Sequence, residues 1–397
     1  IDKLLEVDAK RKELMAAVEA ARMRQNQASQ EIPSAAPERK DALLAEMKIL
    51  KEEMGKHEEE LVPVEKEWQL LMVSVPNVPD PSVPDGDSDA DNQEVRVWGD
   101  KTTFDFTPKS HIEIMETLGM ADFERGVKVA GFRGYFLKND GALLNFAIWR
   151  YAQDFFLKKG LSPMIVPSLV RRVNFLGTGY IPQGEDDLYK TQDGDFLAGT
   201  AEVATMGYHM GDVLDVKELP LKYLSFSPCF RREAGSHSKD VKGLIRVHEF
   251  FKWEQVLLCE ATHEESVKWH EWLNRNTEEF IESLNIPYHT VINCGGDLGL
   301  GQVKKYDIEL WVPGEATYRE ISSASYFHDF QTRRLNIRYR DAEGKMQYAH
   351  SLNSTAVPTP RILVSLIENY QQADGSIRIP EVLVSYFGKD VIQKRVQ

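Results

Sequence analysis

Stepping alternately by three and four residues from Leu4 meets Leu4, Val7, Arg11, Leu14, Val18, Ala21 and Gln25. The same walk from Leu43 meets Leu43, Met47, Leu50, Met54, His57, Leu61, Val64, Trp68 and Leu71. A 3.5-residue period confines both stretches to helices with one narrow seam each, the seam of a coiled coil. Between them QASQEIPSAAPERK supplies two prolines and several small residues, enough for a turn, so the helices are expected to fold back as an antiparallel hairpin. Pro63 is expected to kink the second helix or end its regular hydrogen bonding. At about 1.5 Å per residue such helices are several nanometres long and too thin to enclose a pocket. Residues 1–72 therefore read as an arm, either a probe for an elongated partner or a dimerisation or spacer coil. Its first 25 residues carry near-balanced charge, which does not single out nucleic acid as that partner.

Residues 73–100 contain SVPNVPDPSVPDGDSDADNQE, rich in Pro, Asp, Ser and Gly, and read as an acidic linker. The whole chain of 397 residues has 62 acidic and 48 basic side chains, a net charge of -14, which argues against a general nucleic-acid or membrane binder. Cys229, Cys259 and Cys294 stand far apart, so neither a disulfide framework nor a cysteine-rich zinc site is indicated, and a reducing, cytoplasmic setting is the default. No apolar run approaches the ~20 residues of a membrane span. The start IDKLLEVDAK is unlike a leader, and the missing initiator Met suggests that residues precede Ile1.

Residues 101–397 have the composition of a globular domain. TPKSHIEIMETLG and GALLNFAIWRYAQDFFLKKG read as helices, LSPMIVPSLV as a short buried segment, and THEESVKWHEWLNRNTEEFIESLN as an amphipathic surface helix. His263 and His270 lie seven apart on it without an H-E-x-x-H pattern, so a metal site there is the weaker reading. KYLSFSPCF, LIRVHEFFKWEQVLL, PYHTVINCG and KKYDIELWVP read as strands. CGGDLGLG matches neither a P-loop nor a dinucleotide fingerprint. Antiparallel strands interleaved with helices give an α+β domain, a sheet with helices packed on it.

The chemistry concentrates in residues 229–254, CFRREAGSHSKDVKGLIRVHEFFKWE, which read as two strands joined by a long loop. On the return strand Arg246, His248, Phe250, Lys252 and Glu254 alternate and so are expected on one face. Cations grip phosphate, an aromatic ring stacks on a base and a carboxylate takes an ammonium or hydroxyl, which together suggest a nucleotide-plus-amine substrate. The competing reading is the solvated outer face of a sheet. Thr200 and Glu202 form a polar cluster after FLAGT, Glu320, Ser322 and Ser323 another in TYREISSAS, and Arg361 opens a helix after Pro358 and Pro360. Without a P-loop, phosphate must be held by side chains, which brings Arg231 and Arg361 forward.

These residues resemble the motifs of the seryl-tRNA synthetases, class II aminoacyl-tRNA synthetases, over essentially the whole chain. GTAEV looks like the serine-binding loop, FRREAG with LIRVHEFFKWE like motif 2, EISSAS with DFQTRR and the Arg361 helix like motif 3, and PMIVP like motif 1, the dimer-forming element. The resemblance implies an antiparallel-sheet class II catalytic domain behind a tRNA-binding coiled-coil arm. It also implies activation of L-serine with ATP and Mg2+, transfer of the seryl group to serine tRNA, and a homodimer. By the same resemblance Arg231 and Arg361 are catalytic, and Thr200, Ala201, Glu202, Arg231, Glu254 and Thr355 bind serine. ATP falls to Arg231, Arg232, Glu233, Val247, Phe250, Glu320, Ile321, Ser322, Ser323 and Arg361, and the metal to Glu320 and Ser323. Which glutamate takes the serine ammonium and which the hydroxyl stays open. The chain departs from the family pattern at Asn353–Pro360, where a glycine-rich run is usual, at Glu249, where Gln is usual, and at Ala324, where Cys is common. A repurposed paralogue that binds tRNA or a protein without catalysis is the alternative.

Overall fold

The computed structural model describes residues 1–235 and 240–394, so Ser236–Lys239 of the 229–254 stretch and the last three residues of the 101–397 domain lie outside the described residues. The chain divides into two compact units, Ile1–Pro76 and Asn77–Gln397.

The first unit is a pair of long helices, α1 (Asp2–Glu31) and α2 (Pro37–Val73). They run antiparallel, because Lys3 pairs with Glu67, Arg24 with Glu46 and Arg39 with Glu31. Val7, Leu14, Val18, Ala21 and Leu43 of the two seams are buried, and Ala28 joins them. The seam holds the pair together, whereas exposed ion pairs of this kind contribute ~0–1 kcal/mol each. Arg11 occupies a seam position by laying its guanidinium 4.2 Å from the centre of the Trp68 ring. Pro63 does not end α2: the helix continues ten residues beyond it, to Val73. Pro63 and Glu59 are both exposed, so the carbonyl that loses its donor faces water.

The second unit is built on an eight-stranded sheet. In chain order its strands are β1 (Gln93–Trp98), β2 (Ser162–Ile165), β3 (Leu221–Phe230), β4 (Glu249–Cys259), β5 (Tyr288–Ile292), β6 (Lys304–Val312), β7 (Thr317–Tyr326) and β8 (His350–Thr359). In space they run β1-β5-β6-β7-β8-β4-β3-β2. Every pairing is antiparallel except the outermost, β2 with β3. Four helices position the rest: α3 (Asp140–Lys158), α4 (Glu202–Tyr208), α5 (His263–Ser283) and α6 (Arg361–Asn369). Leu144, Ile148 and Phe156 of α3, Phe280 of α5 and Leu363 and Ile367 of α6 pack with Trp253, Ile308, Ile321 and Val357 of the sheet in one core. Each such side chain contributes about 1.5–3 kcal/mol through burial. This fixes the register of β4: Trp253 and Gln255 turn to the helices, Gln255 donating to Leu273 O and Thr277 Oγ1, so Lys252 and Glu254 turn to the opposite face.

Three sequence expectations need correction. Residues 73–100 are not a free linker: from Asn77 the chain is strapped across the loop 293–303. Asn77 N donates to Leu300 O (2.8 Å) and its Nδ2 to Gly301 O and Phe327 O, while Asp80 N reaches Val303 O. Asn92 closes the strap, its Oδ1 accepting from Cys294 N and its Nδ2 donating to Asp297, and residues 93–98 already form β1. Composition hides this because backbone groups and two asparagine side chains do the pairing, and because glycines permit the crossing: a Cβ on Gly86 would lie 2.8 Å from Cys294 Sγ, and one on Gly296 2.4 Å from the carbonyl carbon of Asp87. LSPMIVPSLV is buried only in part: Leu161, Val166 and Val170 are buried, but Ser162–Ile165 form the exposed edge strand β2, with Ile165 87% exposed. Helix α5 is not a surface helix, since His270, Asn274, Asn276, Thr277 and Glu278 are buried against the sheet. Burial also pushes the His270 imidazole down to about 4, and its Nε2 donates to Ala324 O, whereas His263 is exposed. No helix among the described residues is long and apolar enough to cross a membrane.

Candidate active site

Two adjoining clefts open on the face of the sheet away from α3 and α5, with the first residues of α4 and α6 among their lining. One, about 50 Å³, is lined by Glu233, Val247, Phe250, Ile321 and Arg361 among others; the second, about 380 Å³, by Thr200, Glu202, Glu254, Ser323 and Asn353 together with 299–302 of the strapped loop. Arg231, Lys252, Glu320 and Thr355 line both. They come from β3's exit, β4, β7 and β8, so the central strands of the sheet converge their polar side chains on the seam between the clefts.

The larger cleft holds a carboxylate pair whose oxygens are all hydrogen-bonded or ion-paired. Glu202, 2% exposed at the start of α4, accepts from Tyr180 Oη (2.9 Å), Gln331 Nε2 (2.6 Å) and Asn353 Nδ2 (3.1 Å), all neutral donors. Glu254, fully buried on β4, accepts from the same Asn353 amide (2.8 Å) and is ion-paired with Lys252. Thr355 Oγ1 stands 3.5 Å from Glu254 and 3.4 Å from the Lys252 ammonium. Burial, with the Glu254 charge second, pushes the Glu202 carboxyl up to about 7. Thr200 and Ala201 are buried at the entrance of α4, Thr200 Oγ1 accepting from Glu202 N.

The smaller cleft is framed by cations held in place by carbonyl oxygens. Arg361 donates from Nε to Ile245 O and from Nη1 to Glu320 O, both at 2.8 Å, which fixes its guanidinium across the cleft from Phe250. Arg231, exposed, lies with its guanidinium carbon 5.4 Å from the Phe250 ring centre, and its backbone N–H holds His248 O. Glu233 is paired with Arg246 at 2.6 Å.

The carboxylates beside this seam suit a hard cation. Asp307 on β6 sits opposite Ser323 on β7, with one carboxylate oxygen buried and without a hydrogen-bond partner. Burial, then Glu320, raises its carboxyl to about 6. Among the described residues no group of three His, Cys, Asp or Glu side chains could hold a metal ion. Two carboxylates and a hydroxyl, Glu320, Asp307 and Ser323, nonetheless match magnesium, which takes one or two carboxylates and completes its shell with phosphate and water.

Most of the expected site residues therefore meet, but not all. Ser322 points into the protein, its hydroxyl donating to Thr355 O at 2.6 Å, because β7 alternates and Ser323 takes the cleft. Arg232 turns away to Asp186 O and lines neither cleft. The five alternating residues do not share a face: β4 begins only at Glu249, and His248 lies with Phe132 and Tyr189 in a separate cavity of about 630 Å³. Nor is the face solvated, given Lys252 and Glu254. Sequence reasoning missed Asn353, Tyr180 and Gln331, which reach Glu202 from three different elements, and Asp307, which stands opposite Ser323 without lining either cleft. For Asp307 the strand alternation of KKYDIELWVP beside EISSAS was an available signal.

Residues 1–79 match the model of the seryl-tRNA synthetase N-terminal domain, and residues 189–370 that of the tRNA synthetase class II core domain (G, H, P, S and T). A serine--tRNA ligase of Deinococcus radiodurans is 46% identical over 389 residues, covering 98% of this chain and 92% of the relative. The chain belongs to the seryl-tRNA synthetase family. A second family member, the serine--tRNA ligase of Thermodesulfovibrio yellowstonii, is 43% identical over 99% of the chain. The seryl-tRNA synthetase of Pyrococcus horikoshii, solved as a complex with ATP, superposes with a TM-score of 0.93 at 39% identity, covering 100% of this chain and 93% of that one. The class II antiparallel sheet and the helical arm of this family are thus both present.

Proposed function

We propose that the chain activates L-serine with ATP, forming seryl-adenylate and pyrophosphate, and passes the seryl group to the 3′ end of serine tRNA. The observation that carries this reading is the seam: Arg231, Lys252, Glu320 and Thr355 belong at once to an aromatic, arginine-framed cleft and to a carboxylate-lined one. A repurposed binding module would have no need to keep both clefts wired and joined.

The serine carboxylate is already a nucleophile at neutral pH, so the first step needs no general base, only alignment with the α-phosphate and neutralisation of growing charge. Arg231, reaching both clefts, is placed to bridge carboxylate and α-phosphate. Phe250 and Arg361 sandwich the base, and Arg361 reaches back toward the terminal phosphate. Val247, Ile321 and Glu233 close the nucleotide cleft. Glu320, Ser323 and Asp307 would hold magnesium, which when bound neutralises phosphate oxygens. Thr200, Ala201, Glu202, Glu254 and Thr355 form the amino-acid cleft. Because Glu254 already has a cation and Glu202 has only neutral donors, the serine ammonium goes to Glu202 and the hydroxyl to Glu254 and Thr355.

The arm would embrace the serine tRNA by shape and backbone. The exposed apolar face around β2, with Ile165 beside Phe146 and Trp149, fits a second copy of the chain, and a homodimer in the cytoplasm is the proposed assembly. Purified protein with magnesium is expected to exchange pyrophosphate into ATP in a serine-dependent way, and background-level exchange would overturn the enzymatic reading. Removing residues 1–72 should abolish aminoacylation and spare the exchange; loss of both would make the arm a folding element.

A further inference from the structure

Lys252 is 5% exposed, its ammonium is committed to a fully buried carboxylate, and it stands at the seam of both clefts. A buried ion pair costs desolvation that its mutual attraction only roughly offsets, so stability alone gives little reason for one here. The groups around it explain its use. Glu202 faces it from α4, Tyr180 from the loop before, Cys229 and Arg231 from the end of β3, Glu320 from β7, and Asn353 and Thr355 from β8. Glu202 and Glu254 are close enough for one Asn353 amide to bridge them. Two buried carboxylates this close tend to share a proton, as each charge raises the proton affinity of the other.

We propose that Lys252 is the resident counter-ion of the amino-acid cleft and a positioning residue for serine selection: its ammonium keeps Glu254 a bare, acceptor-only carboxylate beside Thr355, which leaves Glu202, surrounded by neutral donors, to meet the substrate ammonium. This deepens the proposed function and rests on it. An ionised acceptor makes roughly twice the hydrogen bond of a neutral one. It therefore rewards a substrate hydroxyl and penalises alanine, which leaves the acceptor short of a donor. Protonated, Glu254 would itself donate and the demand for a hydroxyl would weaken.

The test compares wild type, Lys252→Met and Lys252→Met/Glu254→Gln by pyrophosphate exchange with serine and with alanine at pH 6.5 and 8.5, and by thermal unfolding. In Lys252→Met the deficit in kcat/KM for serine is expected to be about tenfold larger at pH 6.5 than at pH 8.5, the effect of a carboxyl raised by one pH unit or more. The serine-to-alanine ratio should fall by about tenfold or more. The double variant should unfold at a higher temperature than Lys252→Met, because it no longer buries an orphaned charge. A deficit equal at both pH values with an unchanged serine-to-alanine ratio, or one confined to the KM for ATP, would overturn the proposal. If Lys252→Met does not fold, a folded double variant supports the counter-ion role and an unfolded one overturns it. Absence of serine-dependent exchange in the wild type would count against the proposed activity, whereas the order of the unfolding temperatures speaks to Lys252 alone.

Discussion

The two clefts that share Arg231, Lys252, Glu320 and Thr355 are built on opposite terms. In the amino-acid cleft the carboxylates and the Lys252 ammonium are buried, and every oxygen of Glu202 already receives a donor from a neutral side chain. In the nucleotide cleft the charges are guanidinium groups, held by carbonyl oxygens of Ile245 and Glu320 or left exposed, as Arg231 is. A small substrate distinguished by one hydroxyl needs fixed partners whose loss is costly. A triphosphate, flexible and strongly hydrated, needs charge that can adjust. On the proposed function, selectivity resides in the buried half and charge neutralisation in the open half.

The largest test of that division is Arg231→Ala. It removes the only arginine among the described residues that lines both clefts and should lower kcat of serine-dependent exchange by about 100- to 1000-fold, the usual effect of deleting a group aimed at developing charge. A change in KM alone would place Arg231 in ground-state binding and blur the two halves.

Next comes Glu202. Replacing a charged acceptor by Gln should raise the KM for serine about tenfold or more while leaving the KM for ATP unchanged. In the wild type, serine activation should fall as pH drops through about 7, where the carboxyl takes up its proton. The same shift has a stability side. The folded value lies above the ordinary carboxylate value, so this group's contribution is fully present below that ordinary value and is lost as pH rises through about 7. Glu202→Gln should therefore gain in unfolding temperature relative to wild type between pH 5 and pH 8; a constant gap would sink the assignment.

The smallest effect concerns the wall of the amino-acid cleft. Asn77→Ala loosens 299–302, which lines that cleft, and should raise the KM for serine by about threefold to tenfold, the value of one or two hydrogen bonds. Asn92→Ala loosens the other end of the same loop, away from the cleft, and should cost stability without moving that KM. Equal effects on KM would mean that the strap serves the fold as a whole.

What could be read from the chain follows the range of the interactions. The seams of α1 and α2 were legible because a helix repeats within a few residues, and Phe250, Lys252 and Glu254 because a strand alternates. His248 was misplaced by the same rule, since the strand begins one residue after it, and Ser322 and Ser323 were grouped although alternation separates them. The family resemblance brought Thr200, Glu202, Glu254, Thr355 and Arg361 together across 161 positions from Thr200 to Arg361. Periodicity could not. Asn353, Tyr180 and Gln331 stayed hidden because nothing local marks an amide or phenol that will point at a distant carboxylate. The strap stayed hidden because it is tied by backbone groups that every residue carries and by Asn77 and Asn92, whose partners lie some two hundred positions away.

That strap decides where this polypeptide can be divided. All of its partners, from Leu300 to Asp297, lie on the same side of Pro76 in the chain as Asn77 itself. A break introduced between Val73 and Asn77 would cut none of its hydrogen bonds, so two separately produced fragments meeting there would each keep their own fold. A break a dozen residues later, between Ser88 and Asn92, would put Asn77 and Asn92 on different fragments although both hold the same loop.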